Sequence, residues 1–477
     1  MKKRLTAGLC ALVMLLAAGC GRGDSDAYRQ INSQISQSQD AGAPAPGAPR
    51  NQRPRELTGH LTIKTFWDEQ METIIQDFTA LHPGVTIDLV KAGGENDVRS
   101  LDDYGTQTVV ELMSGGGPDL VDMAGFSVWK CARSGLLCDL YTFMDRDPEF
   151  RREDYYTNVW EGKEYQGGLY SMPCSFLYKT YWVSRPLLEE AGIHPPDTLT
   201  YRQMLQLQEE VAAATGESPR LIPGMNPYTF FYTEALSYYD LESRTARFSD
   251  PAFLDYLRLT KEKIPVLPDN DMDRVVYNDS FMEKDYLFSD MSISSGSDLM
   301  PFLLDHKNIT GPVLLVNTAG DASFRSMRDY AIPSSSKNQE LAWEFLKFYI
   351  GPREYPEEMD SAEAQKYYFT YCAFIPINRA NFFQSFRFWH RYTRPFQERD
   401  MAEYPDLRWK EGDREALLQR TLERIDGWNC QVSREEAEGE IFGECSEDLA
   451  AYYYHDLLTA EETAERIQNR MTIFLQE

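Results

Sequence analysis

Cys20 is the residue most clearly placed to react. It closes Leu16-Ala17-Ala18-Gly19-Cys20 behind a basic head of Lys2, Lys3 and Arg4 and an apolar run from Leu5 to Ala18. That run is too short to span a bilayer as a stable helix, and the small residues before the cysteine suit a cleavage point. The layout predicts a bacterial lipoprotein signal over residues 1–19. The mature chain would begin at Cys20 with diacylglycerol on its sulfur, tethered to the extracytoplasmic face of the cell membrane by lipid alone.

Other chemistry-bearing residues are sparse. Once Cys10 and Cys20 are set aside, the remaining cysteines are Cys131, Cys138, Cys174, Cys372, Cys430 and Cys445. Local pairs Cys131/Cys138 and Cys430/Cys445 and a set of free thiols are both compatible with an oxidising compartment, and no two-residue spacing supports zinc. The six histidines are dispersed, so no metal site is expected. Asp269-Asn-Asp271-Met-Asp273 starts like a calcium loop, but Arg274 stands where that loop needs glycine and Ser280 where it needs a bidentate glutamate. There is no phosphate-cradling glycine-lysine loop, no Gly-x-Ser-x-Gly elbow and no His-Glu-x-x-His. No cofactor is expected. Paired carboxylates of a glycan-cleaving enzyme leave no sequence spacing, so that alternative stays open.

A net charge of −27 argues against nucleic acid and other polyanions as partners and permits neutral or cationic ligands. Aromatics make up 13% of the chain, a surplus that sugar-stacking rings would use. From Gly21 to about Gly59 the chain is rich in Gln, Ser, Ala, Pro and Gly, including Ala41-Gly-Ala-Pro-Ala-Pro-Gly-Ala-Pro49, and reads as a disordered stalk. Arg22-Gly23-Asp24 within it matches an adhesion tripeptide by chance composition. Folded sequence starts at Leu61-Thr-Ile-Lys-Thr-Phe-Trp67, a strand by alternation, followed by a helix over 74–81, a strand over 85–90, a helix over 109–113 and a strand over 119–123. This order implies parallel βαβ units, whose ligands bind beyond the carboxyl ends of the strands. Trp67, Asp68, Met123, Ala124 and Phe126 would stand at such ends. Further on come a long extended run over 169–183, helices over 186–191, 201–215, 253–262 and 341–350, and a helical, charged tail over 414–476.

Several stretches resemble the extracellular solute-binding proteins of ABC importers, the family that includes maltose- and oligosaccharide-binding proteins. They are Phe78-Thr-Ala-Leu-His-Pro-Gly-Val-Thr-Ile87, Leu112-Met-Ser-Gly-Gly-Gly-Pro-Asp-Leu-Val121, Ser134-Gly-Leu-Leu-Cys-Asp-Leu-Tyr141, and Gly168-Leu-Tyr-Ser-Met-Pro173 leading to Pro186-Leu-Leu-Glu-Glu-Ala-Gly192. Pro333 to Lys347, Phe374-Ile-Pro-Ile-Asn378 and Thr459 to Arg470 extend the likeness in the family's order. The resemblance implies an α/β, two-lobe periplasmic-binding-protein-like fold with hinge crossover strands and an interlobar cleft. Lobe 1 would cover 59–177 plus 330–376, lobe 2 would cover 178–329 plus 377–477, and residues 20–58 would be the lipidated linker.

By the same resemblance, Met123, Ala124, Phe126 and Ser127 fall at ligand-contacting positions, as do Ser175, Phe176, Leu177 and Tyr178 on the hinge strand. Ser294, Ser295 and Gly296 form a polar turn where relatives place a ligand contact. Maltose binders carry acidic side chains where Phe126 and Leu177 stand, which argues against maltose itself. The expected activity is capture of a small solute, a carbohydrate or oligosaccharide, by a monomer that delivers it to ABC permease subunits without catalysis. A peptide- or polyamine-binding protein, a surface-anchored glycan-active enzyme and an adhesin are the alternatives.

Overall fold

The computed structural model describes residues 56–66, 68–91, 100–125, 127–223, 225–264, 286–295, 298, 304–305, 309–355, 359, 361–388, 408–409, 430–432 and 435–476. Cys20, the stalk through residue 55, Trp67, Phe126, Asp269 to Asp273 and Gly296 lie outside the described residues; the stalk's expected end at about Gly59 is corrected, because a strand already starts at Thr58. Among those described, no helix is long and apolar enough to cross a membrane.

The amino-terminal unit alternates β1 (Thr58–Thr65), α1 (Asp68–Leu81), β2 (Gly84–Lys91), α2 (Ser100–Ser114) and β3 (Leu120–Asp122), with β1 parallel to both β2 and β3. Leu61 and Ile63 point to the core from β1, and Met71, Ile74 and Phe78 face them from one side of α1. That spacing gives an apolar helical stripe on an alternating strand. Three short helices follow, α3 (Val128–Arg133), α4 (Tyr141–Met144) and α5 (Thr157–Glu161).

The middle of the chain supplies β4 (Met172–Ser184), α6 (Arg185–Ala191), β5 (Thr198–Thr200), α7 (Tyr201–Thr215), α8 (Phe231–Ala235), the β6 (Tyr239–Asp240) and β7 (Thr245–Ala246) ribbon and α9 (Pro251–Lys263). Gly192 ends α6 in a left-handed conformation at φ 69°, and Thr200 opens α7 through a reciprocal capping box with Gln203. Then come β8 (Phe288–Ile293), β9 (Leu304–Asp305), β10 (Ile309–Val316), β11 (Ala322–Ala331), α10 (Gln339–Ile350), α11 (Ser361–Tyr371) and β12 (Ile375–Pro376). The chain closes with β13 (Arg408–Trp409), β14 (Cys430–Val432), α12 (Glu435–Tyr453) and α13 (Ala460–Gln476).

Among the described residues, ten strands join in one mixed sheet whose main path runs β12-β4-β10-β11-β3-β1-β2. Two large cores use it as a shared wall. Along β4, Cys174, Phe176 and Tyr178 pack into the first core, while Tyr181 and Val183 pack into the second. On β10, Leu314 and Val316 enter the first core and Val313 and Leu315 the second. Successive strand residues face opposite sides, so the two cores lie on opposite faces of these strands. A strand serving two cores must be long and apolar throughout, and β4 is buried along its length except at Lys179.

One expectation needs revision and one open alternative is decided. Ile377, Phe382, Phe386 and Phe388 pack into the first core, so the segment just after 376 does not join the second. Of the two cysteine arrangements left open, the one without local disulfides holds among the described residues, where Cys131, Cys138, Cys174, Cys372 and Cys445 form no disulfide. Cys131 sits in a small core with Met123 and Tyr104, and the Cys138 thiol lies 3.7 Å from the Pro333 carbonyl, the two cysteines serving different contacts.

Candidate functional site

The carboxyl ends of β1 and β3 are tied by one buried carboxylate. Asp122 Oδ2 accepts the Thr65 hydroxyl at 3.0 Å and the Phe66 N–H at 3.2 Å, and Oδ1 accepts the Ala124 N–H at 3.1 Å. The Tyr104 hydroxyl donates to the Asp122 carbonyl at 2.8 Å. Burial pushes the Asp122 carboxyl up to about 6, against the pull of those donors. The loop leaving β3 is therefore fixed at its root: Met123 is buried, and its N–H donates to the Asp329 carbonyl at 2.8 Å. Gly125 follows at φ 82°, a left-handed turn suited to glycine. Ser127 is buried before α3, with its hydroxyl unpartnered among the described residues.

The sheet carries this loop to the other expected contacts. Tyr330 on β11 pairs with Asp122 on one side and with Met172 on β4 on the other. Tyr178 on β4 pairs with Ile293 on β8, directly before Ser294 and Ser295. Those serines wrap the Asp298 carboxylate, their N–H groups each 2.8 Å from Oδ2, and the Tyr368 hydroxyl reaches Ser295 at 3.3 Å. Ser175 donates to the Met327 carbonyl at 2.9 Å. Phe176 and Tyr178 are both 0% exposed and stack edge-to-face with each other at 5.4 Å and with Phe324 at 6.0 Å. As placed here their rings pack the first core and present no face to a solute. Asp68 begins α1.

Two features beside this set escaped sequence reasoning. Lys163, in the loop after α5, forms an ion pair with Asp329, and Ser326 donates to the same Asp329 oxygen at 2.7 Å. Both charged side chains are buried, and the pair abuts the Met123 loop through the Asp329 carbonyl. A buried charge keeps its place only when paired, so this contact fixes the loop after α5 against β11. The second is an aromatic cluster on the second core. Tyr232 is 37% exposed and lies 4.9 Å from Phe442 at 31° between ring planes. Tyr228 stands 5.6 Å from Phe442 and 5.4 Å from Tyr454. The only sequence signal was two aromatic runs, 228–232 and 452–454, far apart in the chain.

The sequence profile of bacterial extracellular solute-binding proteins matches residues 67–356. The chain belongs to that family. This solute-binding protein shares its fold with the sugar-binding protein MalE from Xanthomonas citri at a TM-score of 0.58 and 14% identity, over 88% of this chain and 98% of that one. The ABC substrate-binding protein Lmo0181 from Listeria monocytogenes, solved with cycloalternan, superposes at a TM-score of 0.53 with 14% identity, over 88% and 99% of the two chains. A cyclic alpha-maltosyl-1,6-maltose binding protein from Arthrobacter globiformis does so at 0.54 with 13% identity, over 88% and 99%. No curated protein matches the sequence. The fold is thus the two-lobe α/β fold of this extracytoplasmic family, with β4 and β10 as the strands shared by both cores.

Proposed function

We propose that this solute-binding protein captures a carbohydrate of oligosaccharide size between its two lobes and delivers it to ABC permease subunits, held at the membrane by lipid on Cys20. The observation that carries the reading is the family match over residues 67–356, combined with solved relatives of the same fold whose own descriptions name sugars. The exposed Tyr232 ring beside Phe442 supports a neutral, ring-shaped ligand, because rigid aromatic faces cover the C–H face of a pyranose with little loss of rotamer freedom. The loop at 123–127 and the turn at 294–296 are the proposed polar edge, with the buried Ser127 hydroxyl, unpartnered among the described residues, beneath it. A ligand touching both lobes favours the closed form by its differential affinity for the two states.

Calorimetry on the purified mature protein against linear and cyclic α-glucan oligosaccharides, peptides and polyamines tests the proposal. Saturable one-to-one binding of an oligosaccharide, unchanged on recovery, is the expected result. Cleaved sugar would instead make it a glycan-active enzyme. Tight binding confined to a peptide or polyamine would overturn the carbohydrate assignment.

A further inference from the structure

Three buried oxygens that lack a hydrogen-bond partner among the described residues belong to one patch of the sheet: Asp329 Oδ1, Ser171 Oγ and Ser127 Oγ. Strand register brings them there. Asp329 on β11 stands opposite Pro173 of β4 on one flank, and on the other its carbonyl accepts the Met123 N–H at 2.8 Å. Tyr330, the next residue, pairs with Met172, and Ser171 directly precedes Met172. Tyr330 and Met172 face the first core, so Asp329, Ala331 and Ser171 take the opposite side by strand alternation. On that side lies the small core that holds Met123, Val128 and Ala331. Ser127 leads into α3, which supplies Val128, and its hydroxyl makes no cap bond to that helix. Half-buried Tyr170 packs against both this small core and the second core, so the patch lies where the two lobes meet.

We propose that Asp329 is the acid that accepts the solute's hydroxyl groups as the lobes close on it, with Ser171 and Ser127 beside it, and that Lys163 makes the site selective for a neutral solute. This rests on the carbohydrate reading above and adds to it the acceptor and the charge selectivity. Phe126 and Leu177 leave this chain without acids at the two positions where maltose binders carry them. Strand β11 runs between those positions, pairing with β3 on one side and β4 on the other, and it carries Asp329.

Buried polar atoms nearly always find a partner, and a carboxylate oxygen left bare away from water is costly. Oδ1 of Asp329 can only accept, so whatever meets it must donate. Its other oxygen, Oδ2, is held by Lys163 and accepts the Ser326 hydroxyl at 2.7 Å, while Lys163 also donates to Ser326 at 2.9 Å. The Lys163 and Asp329 side chains are 7% and 9% exposed, so the acid's charge is balanced in place inside the protein. A protonated amine would bring an uncompensated charge into this buried site, whereas a sugar hydroxyl brings a donor and no charge. Each pyranose hydroxyl both donates and accepts, which suits the two serine hydroxyls as well as the carboxylate.

The test is calorimetry on the full mature chain with maltotetraose, isomaltotetraose, cellotetraose and α-cyclodextrin, and with spermidine as the cationic arm. The wild type should bind at least one of the sugars and not spermidine. Ser171→Ala and Ser127→Ala break no side-chain bond among the described residues. Each should leave the unliganded melting midpoint unchanged or higher and weaken binding of that sugar by about fivefold; a hydroxyl with only a structural part would lower the midpoint and spare the affinity. Asp329→Asn combined with Lys163→Gln removes both charges together and should weaken the sugar by about tenfold or more. Among monodeoxy analogues of the bound sugar, one should lose that same factor on the wild type and lose nothing further on the double variant. The serine variants decide the matter on their own where the double variant does not fold. Sugar binding that both serine variants keep in full overturns this proposal alone, and spermidine competing with the sugar overturns the charge selectivity. A wild type that binds none of the four sugars overturns the carbohydrate reading and this proposal with it.

Discussion

At the scale of single residues, Asp122 makes a prediction with a definite sign. Burial raises its carboxyl from 3.8 to about 6, so the folded chain holds this proton more tightly than the unfolded chain does. The associated stability is fully present below the unfolded value and is lost as pH rises through about 6. Asp122→Asn keeps an acceptor for Thr65 and removes the titration. Between about pH 4 and pH 7 the wild type should lose on the order of 3 kcal/mol relative to the variant in urea unfolding; parallel pH courses would refute the assignment. Phe176 and Tyr178 make the second prediction. Family likeness places them at ligand, yet both rings are fully buried, so Phe176→Ala and Tyr178→Ala should each cost about 3–5 kcal/mol of stability. Solute affinity of the fraction that remains folded should barely change, as calorimetry on samples checked by circular dichroism would report.

At the scale of elements, α3 and α13 meet although they belong to different parts of the chain. Trp129 on α3 packs edge-on against Phe474 on α13 at 6.0 Å, Lys130 lies 4.5 Å over the same Phe474 ring, and Trp129 also faces Tyr165. Phe474→Ala should therefore cost about 3 kcal/mol in denaturant unfolding and shift Trp129 emission to the red as water enters; an unshifted spectrum would mean the helices do not bear on each other. Elements with a one-sided apolar period were legible in the sequence. The helix expected over 201–215 is α7, and 341–350 lies within α10. The start of α1 was not legible, because Asp68-Glu69-Gln70 carries no apolar signal and only the later stripe from Met71 does. Strand β10 was missed for a different reason. Both of its faces are buried, so Val313 to Val316 form an unbroken apolar run beside Pro312, without the alternation that identifies a half-buried strand.

At the scale of the whole molecule, the order of segments carried the fold, since βαβ succession and one overlong strand restrict the topology strongly. The site was less legible because its contacts are long-range. Neither the Lys163–Asp329 pair nor the Tyr232–Phe442 ring contact leaves any spacing in the sequence, and both exist only once distant segments are brought together. That sheet also shapes the last prediction. With one core on each face of β4 and β10, relative motion of the lobes must be absorbed by those strands, and a solute bridging the lobes shifts the balance toward the closed form. Small-angle scattering should show a fall in radius of gyration when a binding oligosaccharide is added. Tyr232→Ala removes an exposed ring at little cost to the core, so it should leave the unliganded scattering curve and melting midpoint unchanged. Affinity should drop by about tenfold, the scale of one lost aromatic stacking contact. If Tyr232→Ala binds and contracts as the wild type does, the stacking surface lies elsewhere; if the wild type binds sugar without contracting, the lobes do not close on it.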